Sequence, residues 1–242
     1  DFIASAMDQV VNQAAKIRLM SGGKAKVPLV IRAAIGANTH GAQHAQCLEA
    51  WFMHIPGLKV VMPATPYDAK GLLKSSIRDN NPVVYIEHKM LYGMKGPVPP
   101  PEEEYLIPIG KADVKRSGTD VTVIAHSRAV LTALKAADEL VKDGINIELI
   151  DLRTILPLDM ETIIESVKKT NRVIIVSEEC KTGSTGAEIG MQIIETAFDY
   201  LDAPIVRVEG ADVPMPKSPV LEALAIPQKD DIIKAVKQIL GK

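Results

Sequence analysis

Cysteine is scarce in this sequence, with Cys47 and Cys180 alone. Two thiols cannot make a disulfide framework, and free thiols suit a reducing compartment. Long apolar runs are missing as well. The longest, Val173-Val176 and Val121-Ala125, are strand-length, against the roughly 18 residues a membrane span needs. Neither sign of charge is in excess: 28 basic and 30 acidic residues leave a net charge of -2. Nothing calls for nucleic acid or an anionic membrane as partner. There is no repeat, no low-complexity segment and no signal or transit pattern. The opening Asp1-Phe2-Ile3, without an initiator Met, reads as a fragment or processed chain and leaves an upstream signal open. What remains is 242 residues, 47% hydrophobic and 24% charged, the balance of a soluble globular protein with room for two cores.

The apolar spacing orders the chain. Phe2, Ile3, Ala6, Met7, Val10, Val11, Ala14, Ile17 and Met20 recur at steps of three and four, which predicts an amphipathic helix closed by Ser21-Gly22-Gly23. A short buried strand is expected at Pro28-Arg32, a polar loop over Gly36-Gly41, a helix from Gln46 to His54 and a strand at Leu58-Val61. Thr65-Pro66-Tyr67-Asp68 is a helix start, with Thr as N-cap and Pro at the first helical position. That helix runs to Ile77, and Asp79-Asn80-Asn81-Pro82 turns into a strand at Val83-Glu87. Strands alternating with helices imply a parallel sheet. The prolines at 97, 99, 100, 101 and 108, with Glu102-Glu103-Glu104, make a stiff polar connector. We therefore divide the chain into residues 1–96, a connector over 97–108 and a second α/β domain over 109–242. In the latter, strands are expected at Lys111-Arg116, Val121-Ala125, Ile147-Asp151, Val173-Ser177 and Ile205-Val208. Helices are expected at Val130-Lys142, Glu161-Lys169, Ala187-Phe198 and Asp230-Leu240.

Few residues stand out chemically. His44 sits at a loop-helix junction, where an imidazole can titrate near neutrality or donate to a reacting oxyanion; a capping or surface role is the plain alternative. His40 is a weaker version of the same. His54 lies late in a helix, where the dipole favours it, and His88 and His126 follow strand ends as structural histidines do. No histidine pair stands at metal-ligand spacing with a cysteine, so no zinc site is expected. Asp79 and Asn81 could bind a hard cation through oxygen, or simply form an Asx turn into Pro82. Gly183-Ser184-Thr185-Gly186 lacks the Lys of a P-loop and the glycine spacing of a dinucleotide fingerprint, and reads as a tight strand-helix turn. Glu178 and Glu179 are adjacent, hence expected as solvated or interface carboxylates rather than an aimed acid/base pair.

Longer motifs carry a resemblance. Ala6-Met7-Asp8-Gln9-Val10-Val11-Asn12-Gln13 with Met20-Ser21-Gly22-Gly23, Gln43-His44-Ala45-Gln46, Pro56-Gly57-Leu58-Lys59-Val60-Val61 and Ile77-Arg78-Asp79-Asn80-Asn81-Pro82 resemble the beta subunit of the thiamine-dependent first component of 2-oxo acid dehydrogenase complexes. So do Ile107-Pro108-Ile109-Gly110-Lys111-Ala112, Asp151-Leu152-Arg153-Thr154, Gly186-Ala187-Glu188-Ile189 and Gly210-Ala211-Asp212-Val213-Pro214-Met215-Pro216. The resemblance covers the whole chain in order. Its last motif leans toward pyruvate over branched-chain oxo acids, while Ser218-Pro219-Val220-Leu221-Glu222 resembles acetoin dehydrogenase beta chains.

The resemblance implies an α/β fold: a thiamine-binding pyrimidine-type domain, truncated at its N-terminus, followed by a transketolase C-terminal-like domain. It implies an alpha subunit in an α2β2 heterotetramer with a beta-beta contact. Thiamine diphosphate would lie between alpha and beta, magnesium would be held by alpha, and the acyl group would pass to a lipoyl-bearing second component. Bacterial cytoplasm or an organelle matrix is the compartment it implies. By position, Phe2 matches the aromatic that packs on the aminopyrimidine, and His44 matches the active-site histidine near substrate and lipoyl group. Asp79 and Asn81, with the carbonyls of Leu29, Ser76 and Ile77, match a structural potassium site. The family's aminopyrimidine-binding glutamate lies upstream of Phe2, so the chain as it stands is expected not to activate thiamine, which leaves a non-catalytic assembly or docking role as the alternative for it. Lys217 in place of an aromatic, and Ala45 in place of a serine, are further departures.

Overall fold

The computed structural model describes residues 1–242. The opening segment is helical throughout but changes pitch, from a 3₁₀ turn at Phe2–Ala6 through a π segment at Gln9–Ala14 to α1 (Ala15–Met20). Only Val10, Ala14 and Ala15 of its apolar face are buried, while Phe2, Leu19 and Met20 face outward. The periodicity thus identified an amphipathic element whose apolar stripe this chain covers only in part.

From there the chain runs through β1 (Val30–Ile35), α2 (Glu49–Met53), β2 (Lys59–Val61), α3 (Pro66–Arg78) and β3 (Val83–His88). After the connector come β4 (Asp113–Arg116), β5 (Val121–Ala125), α4 (Arg128–Leu140), β6 (Ile147–Asp151), β7 (Thr154–Leu156) and α5 (Met160–Thr170). The last elements are β8 (Val173–Cys180), α6 (Thr185–Ala197), β9 (Val206–Gly210), α7 (Pro219–Ala225) and α8 (Lys229–Ile239). No helix is long and apolar enough to cross a membrane.

Two sheets result. The first has the order β1-β3-β2-β7, with β1, β3 and β2 parallel and β7 antiparallel. The second has the order β4-β6-β5-β8-β9, parallel except for β4 at its edge. Every residue of β5 and β6 is buried, as expected of central strands covered by helices on both faces. Thr65 caps α3, its hydroxyl accepting the Asp68 N–H at 3.1 Å. Connector residues Tyr105 and Ile107 pack so closely on α3 that a side chain at Gly71 would collide with both.

Four local departures have physical reasons. The helix expected from Gln46 begins only at Glu49, because the Gln46 carbonyl is taken by the Gly36 N–H at 3.1 Å. The strand expected at residues 28–32 runs over Val30–Ile35, in register with β3. Spacing missed α7, a single short helix opened by Pro219, and β7, a strand of only three residues. β7 pairs across to β2, so residues beyond the connector complete the first sheet. The largest hydrophobic cluster likewise joins Phe52, Val84 and Ile86 to Ile124, Ile155, Ile175 and Ile189.

The second sheet has a topological switch point. The chain leaves β5 through α4 for β6 on one side, and leaves β8 through α6 for β9 on the other. Ligand crevices in open α/β sheets lie at the carboxyl ends of strands that diverge in this way. His126 follows β5, and Glu178 and Glu179 lie at the end of β8.

Candidate active site

The site forms where the first-domain loop after β1 meets the carboxyl edge of the second sheet. Gly36, at φ 95°, lies so close to the His88 ring that any Cβ would overlap it. Thr39, at φ 61°, is held in the left-handed region that an L side chain seldom adopts. What holds it there is a carboxylate from far along the chain. Glu222 on α7 accepts the N–H groups of Asn38 at 3.1 Å and Thr39 at 2.7 Å. The Asn38 side chain then donates to the His44 carbonyl at 2.8 Å, and its Oδ1 accepts the His40 N–H at 3.1 Å. His40 Nδ1 turns back to the Asn38 carbonyl at 2.6 Å. Lys89, ion-paired to Asp1, also donates to the His44 carbonyl.

Every one of these contacts to His44 is made by its backbone, so its imidazole stays free of them. That ring is exposed and meets Phe2 edge-on, with centroids 5.3 Å apart and planes at 63°. Phe2 is itself 71% exposed. The two residues singled out in the sequence as catalytic and cofactor-binding therefore lie side by side, with an open aromatic face beside an imidazole.

A layer of buried charges lies beneath the loop. Glu178 and Glu179 sit within β8, where neighbouring side chains point to opposite faces. Glu178 pairs with His88 Nε2 at 2.7 Å and with Arg128 at 3.0 Å. Burial opposes its charge, but His88, Arg128 and the Ala37 N–H outweigh that and hold the carboxyl below its usual range. Glu179 turns the other way, accepting the Thr185 N–H at 2.9 Å and facing His126 and Glu49. Neither carboxylate is solvated; both are turned inward at the junction between the two sheets. His88 and His126 are structural partners of carboxylates, as strand-end histidines were expected to be.

The residues expected to hold potassium are engaged otherwise. Asp79 takes the Lys59 ammonium and both the main-chain and side-chain N–H groups of Asn81. The side-chain oxygen of Asn81 accepts Arg18 at 2.6 Å. The carbonyls of Leu29 and Ser76 accept the N–H groups of Val83 and Asp79, and the Ile77 side chain is exposed. Two cationic groups thus contact the side-chain oxygens of this set, within the Asx turn into Pro82.

Sequence spacing missed Glu222, Asn38 and Lys89. Glu222 acts across 184 residues, and no local pattern marks such a partner.

The fold and this site define a class: proteins built from transketolase-type domains. Residues 1–95 match the transketolase pyrimidine-binding domain family, and residues 110–232 match the transketolase C-terminal domain family. A solved split-gene transketolase, described as an inactive β4 tetramer, shares the fold with a TM-score of 0.77 at 23% identity, over 98% of this chain and 74% of that one. The chain is 52% identical to the human mitochondrial pyruvate dehydrogenase E1 component subunit beta, over all of this chain and 68% of that protein. It is 49% identical to the counterpart from Rhizobium meliloti, over all of this chain and 53% of that protein. With a rice mitochondrial subunit beta-2 the identity is 48%, over 98% of this chain and 64% of the relative. The chain belongs to the family of pyruvate dehydrogenase E1 beta subunits. It spans between about half and two thirds of the length of these relatives.

Proposed function

We propose that this chain is the beta-subunit portion of a thiamine-dependent 2-oxo acid dehydrogenase first component. It would act on pyruvate with an alpha subunit and pass the acetyl group to a lipoyl-bearing second component. The observation that carries the reading is the Phe2–His44 pair, an aromatic face open to a planar ring with an imidazole at its edge. That face fits the aminopyrimidine ring of thiamine diphosphate, since offset and edge-on aromatic contacts favour such stacking. When bound, the cofactor supplies the electron sink for decarboxylation. By the family resemblance, the diphosphate and magnesium belong to the alpha subunit.

Phe2 orients the ring. His44 would give a ring-nitrogen proton to the leaving lipoyl sulfur as the S–S bond opens, and would be reprotonated by the hydroxyl of the transferred group as that becomes the thioester carbonyl. The Asn38, Glu222 and Lys89 contacts hold the backbone of His44 and leave its imidazole free for that transfer. The compartment of such a reaction is the bacterial cytoplasm or an organelle matrix.

The test is turnover of the full-length chain co-expressed with its alpha subunit, supplied with thiamine diphosphate and magnesium. Acetoin and a branched-chain oxo acid serve as comparison substrates. Acetoin is the pointed one, because Ser218–Glu222 resembles the acetoin enzymes and supplies the loop-holding Glu222. We expect pyruvate turnover that requires both subunits and falls by about 10²–10⁴-fold in His44→Ala, with an unchanged melting temperature. Preference for acetoin would move the assignment to that enzyme. An assembled complex that turns over no 2-oxo acid would move it to an assembly role.

A further inference from the structure

Below the loop lies a cluster that the proposed reaction does not use. Glu49 at the start of α2, His126 after β5 and Glu179 near the end of β8 are 1%, 4% and 2% exposed. One donor atom from each lies within 4.8 Å of the other two. Residues so far apart in sequence have no metal-ligand spacing, and only the junction of the two domains brings them together.

Two carboxylates converge here on a single imidazole, and all three residues are closed to bulk solvent. Arg128, the cation closest along the chain to His126, is committed to Glu178. The cluster has no lysine or arginine of its own. It also has unused donors: Glu49 Oε2 and Ser127 Oγ are both buried without a hydrogen-bond partner. Such atoms are rare in folded proteins, and each calls for a reason. Glu49, His126 and Ser127 also border a small cavity of about 10 Å³, which Arg128 and Glu178 line as well and Glu179 does not; it has roughly the room that one water needs.

From these observations we propose that Glu49, His126 and Glu179 bind a divalent transition-metal ion of the zinc class, which clips the helix following the His44 loop to the second domain. The donor set is two carboxylate oxygens and one imidazole nitrogen, a combination that zinc accepts with a water as fourth ligand. The spacing agrees with it. Ligands about 2.0 Å from a tetrahedral centre stand roughly 3.3 Å apart, and His126 Nε2 lies 3.3 Å from Glu49 Oε1. The wider spans close by rotation of the glutamate side chains. His126 follows β5 and Glu179 lies in β8, the two strands that diverge at the switch point, and Glu49 comes from the first domain. The ion would thus join three elements that otherwise meet only through packing and hydrogen bonds.

The test uses the full-length chain, stripped with a chelator and titrated with Zn²⁺ by calorimetry, and with Co²⁺ followed by visible absorbance. We expect one ion per chain, a raised melting temperature and a cobalt spectrum of mixed nitrogen and oxygen ligation. Glu49→Gln and Glu179→Gln, which keep size and shape, should each weaken Zn²⁺ binding by more than about 100-fold. Asp212→Asn, a change to an exposed carboxylate outside the cluster, should leave it unchanged. A wild-type chain that takes up no stoichiometric Zn²⁺ overturns the proposal whatever the variants do. So do glutamine variants that bind as the wild type does.

Discussion

The Glu222 carboxylate accepts the main-chain N–H of Thr39 at 2.7 Å, across 183 residues of sequence. One side chain of the second domain thereby sets the backbone of the loop that carries His44. It does so where Thr39 is held in a left-handed conformation that needs outside support. The candidate site is therefore a property of both domains, although Phe2 and His44 both belong to the first.

Replacing Glu222 by Ala leaves two main-chain donors without their partner, that of buried Asn38 and that of exposed Thr39. We expect a loss of about 1–3 kcal/mol in unfolding free energy. Amide exchange should rise over residues 36–44 first. Denaturant melts and hydrogen-exchange mass spectrometry measure both. Unchanged protection of the loop would show that the contact does not restrain it.

Phe2→Ala removes an aromatic face that the folded chain leaves open, so its melting temperature should hold within a degree or so of wild type. Apparent affinity for thiamine diphosphate in the complex with the alpha subunit should fall by about 2- to 12-fold, the worth of an aromatic contact of about 0.5–1.5 kcal/mol. Phe2→Tyr should recover it. Cofactor titration followed by intrinsic fluorescence decides the matter, and equal affinity in Phe2→Ala would remove this residue from the site.

Asp68 on α3 ties the domains together through Lys115 at 2.9 Å and Arg153 at 2.7 Å. Burial works against its charge, but the Thr65 hydroxyl, Lys115 and Arg153 outweigh burial and hold the carboxyl below its ordinary 3.8. A carboxyl depressed in the folded state stabilises the fold above its unfolded value, and that contribution is lost as pH falls through the folded one. Acid unfolding should therefore steepen below pH 3.8, and Asp68→Asn should flatten that limb. At neutral pH the same change should cost about 1.5–3 kcal/mol, the worth of hydrogen bonds to a charged group, because Lys115 and Arg153 both keep Asp113 as a partner. Thermal melts of both proteins from pH 3 to pH 7, on the order of the carboxylate range, test the sign.

Exchanging potassium for sodium at constant ionic strength should leave the melting temperature unchanged. Lys59 and Arg18 already satisfy the side-chain oxygens of Asp79 and Asn81. Arg18→Ala frees the Asn81 oxygen, and is the variant in which a potassium dependence should first emerge. A potassium-dependent melt of the wild-type chain would mean that the ion displaces these cations.

Much of the fold was legible along the chain because local rules govern it. The buried runs Val83–Ile86 and Val121–Ala125 announce central strands. Thr65-Pro66 announces α3, since its cap needs only residues three apart. β7 escaped because three residues carry too little periodicity to distinguish a strand from a turn. α2 was drawn too long because the Gly36 N–H captures the Gln46 carbonyl.

Sequence alone determined the alternation of strand and helix and the family likeness, through which Phe2 and His44 were proposed by position. These rest on side-chain type and short-range order, which the linear chain displays directly. Tertiary structure decided that Glu178 and Glu179 part to opposite faces, that Glu222 braces Thr39, and that Glu49, His126 and Glu179 converge in a buried place. Each of these depends on which strand ends and loops come together when the two sheets share one core, and no pattern within a single segment encodes that meeting.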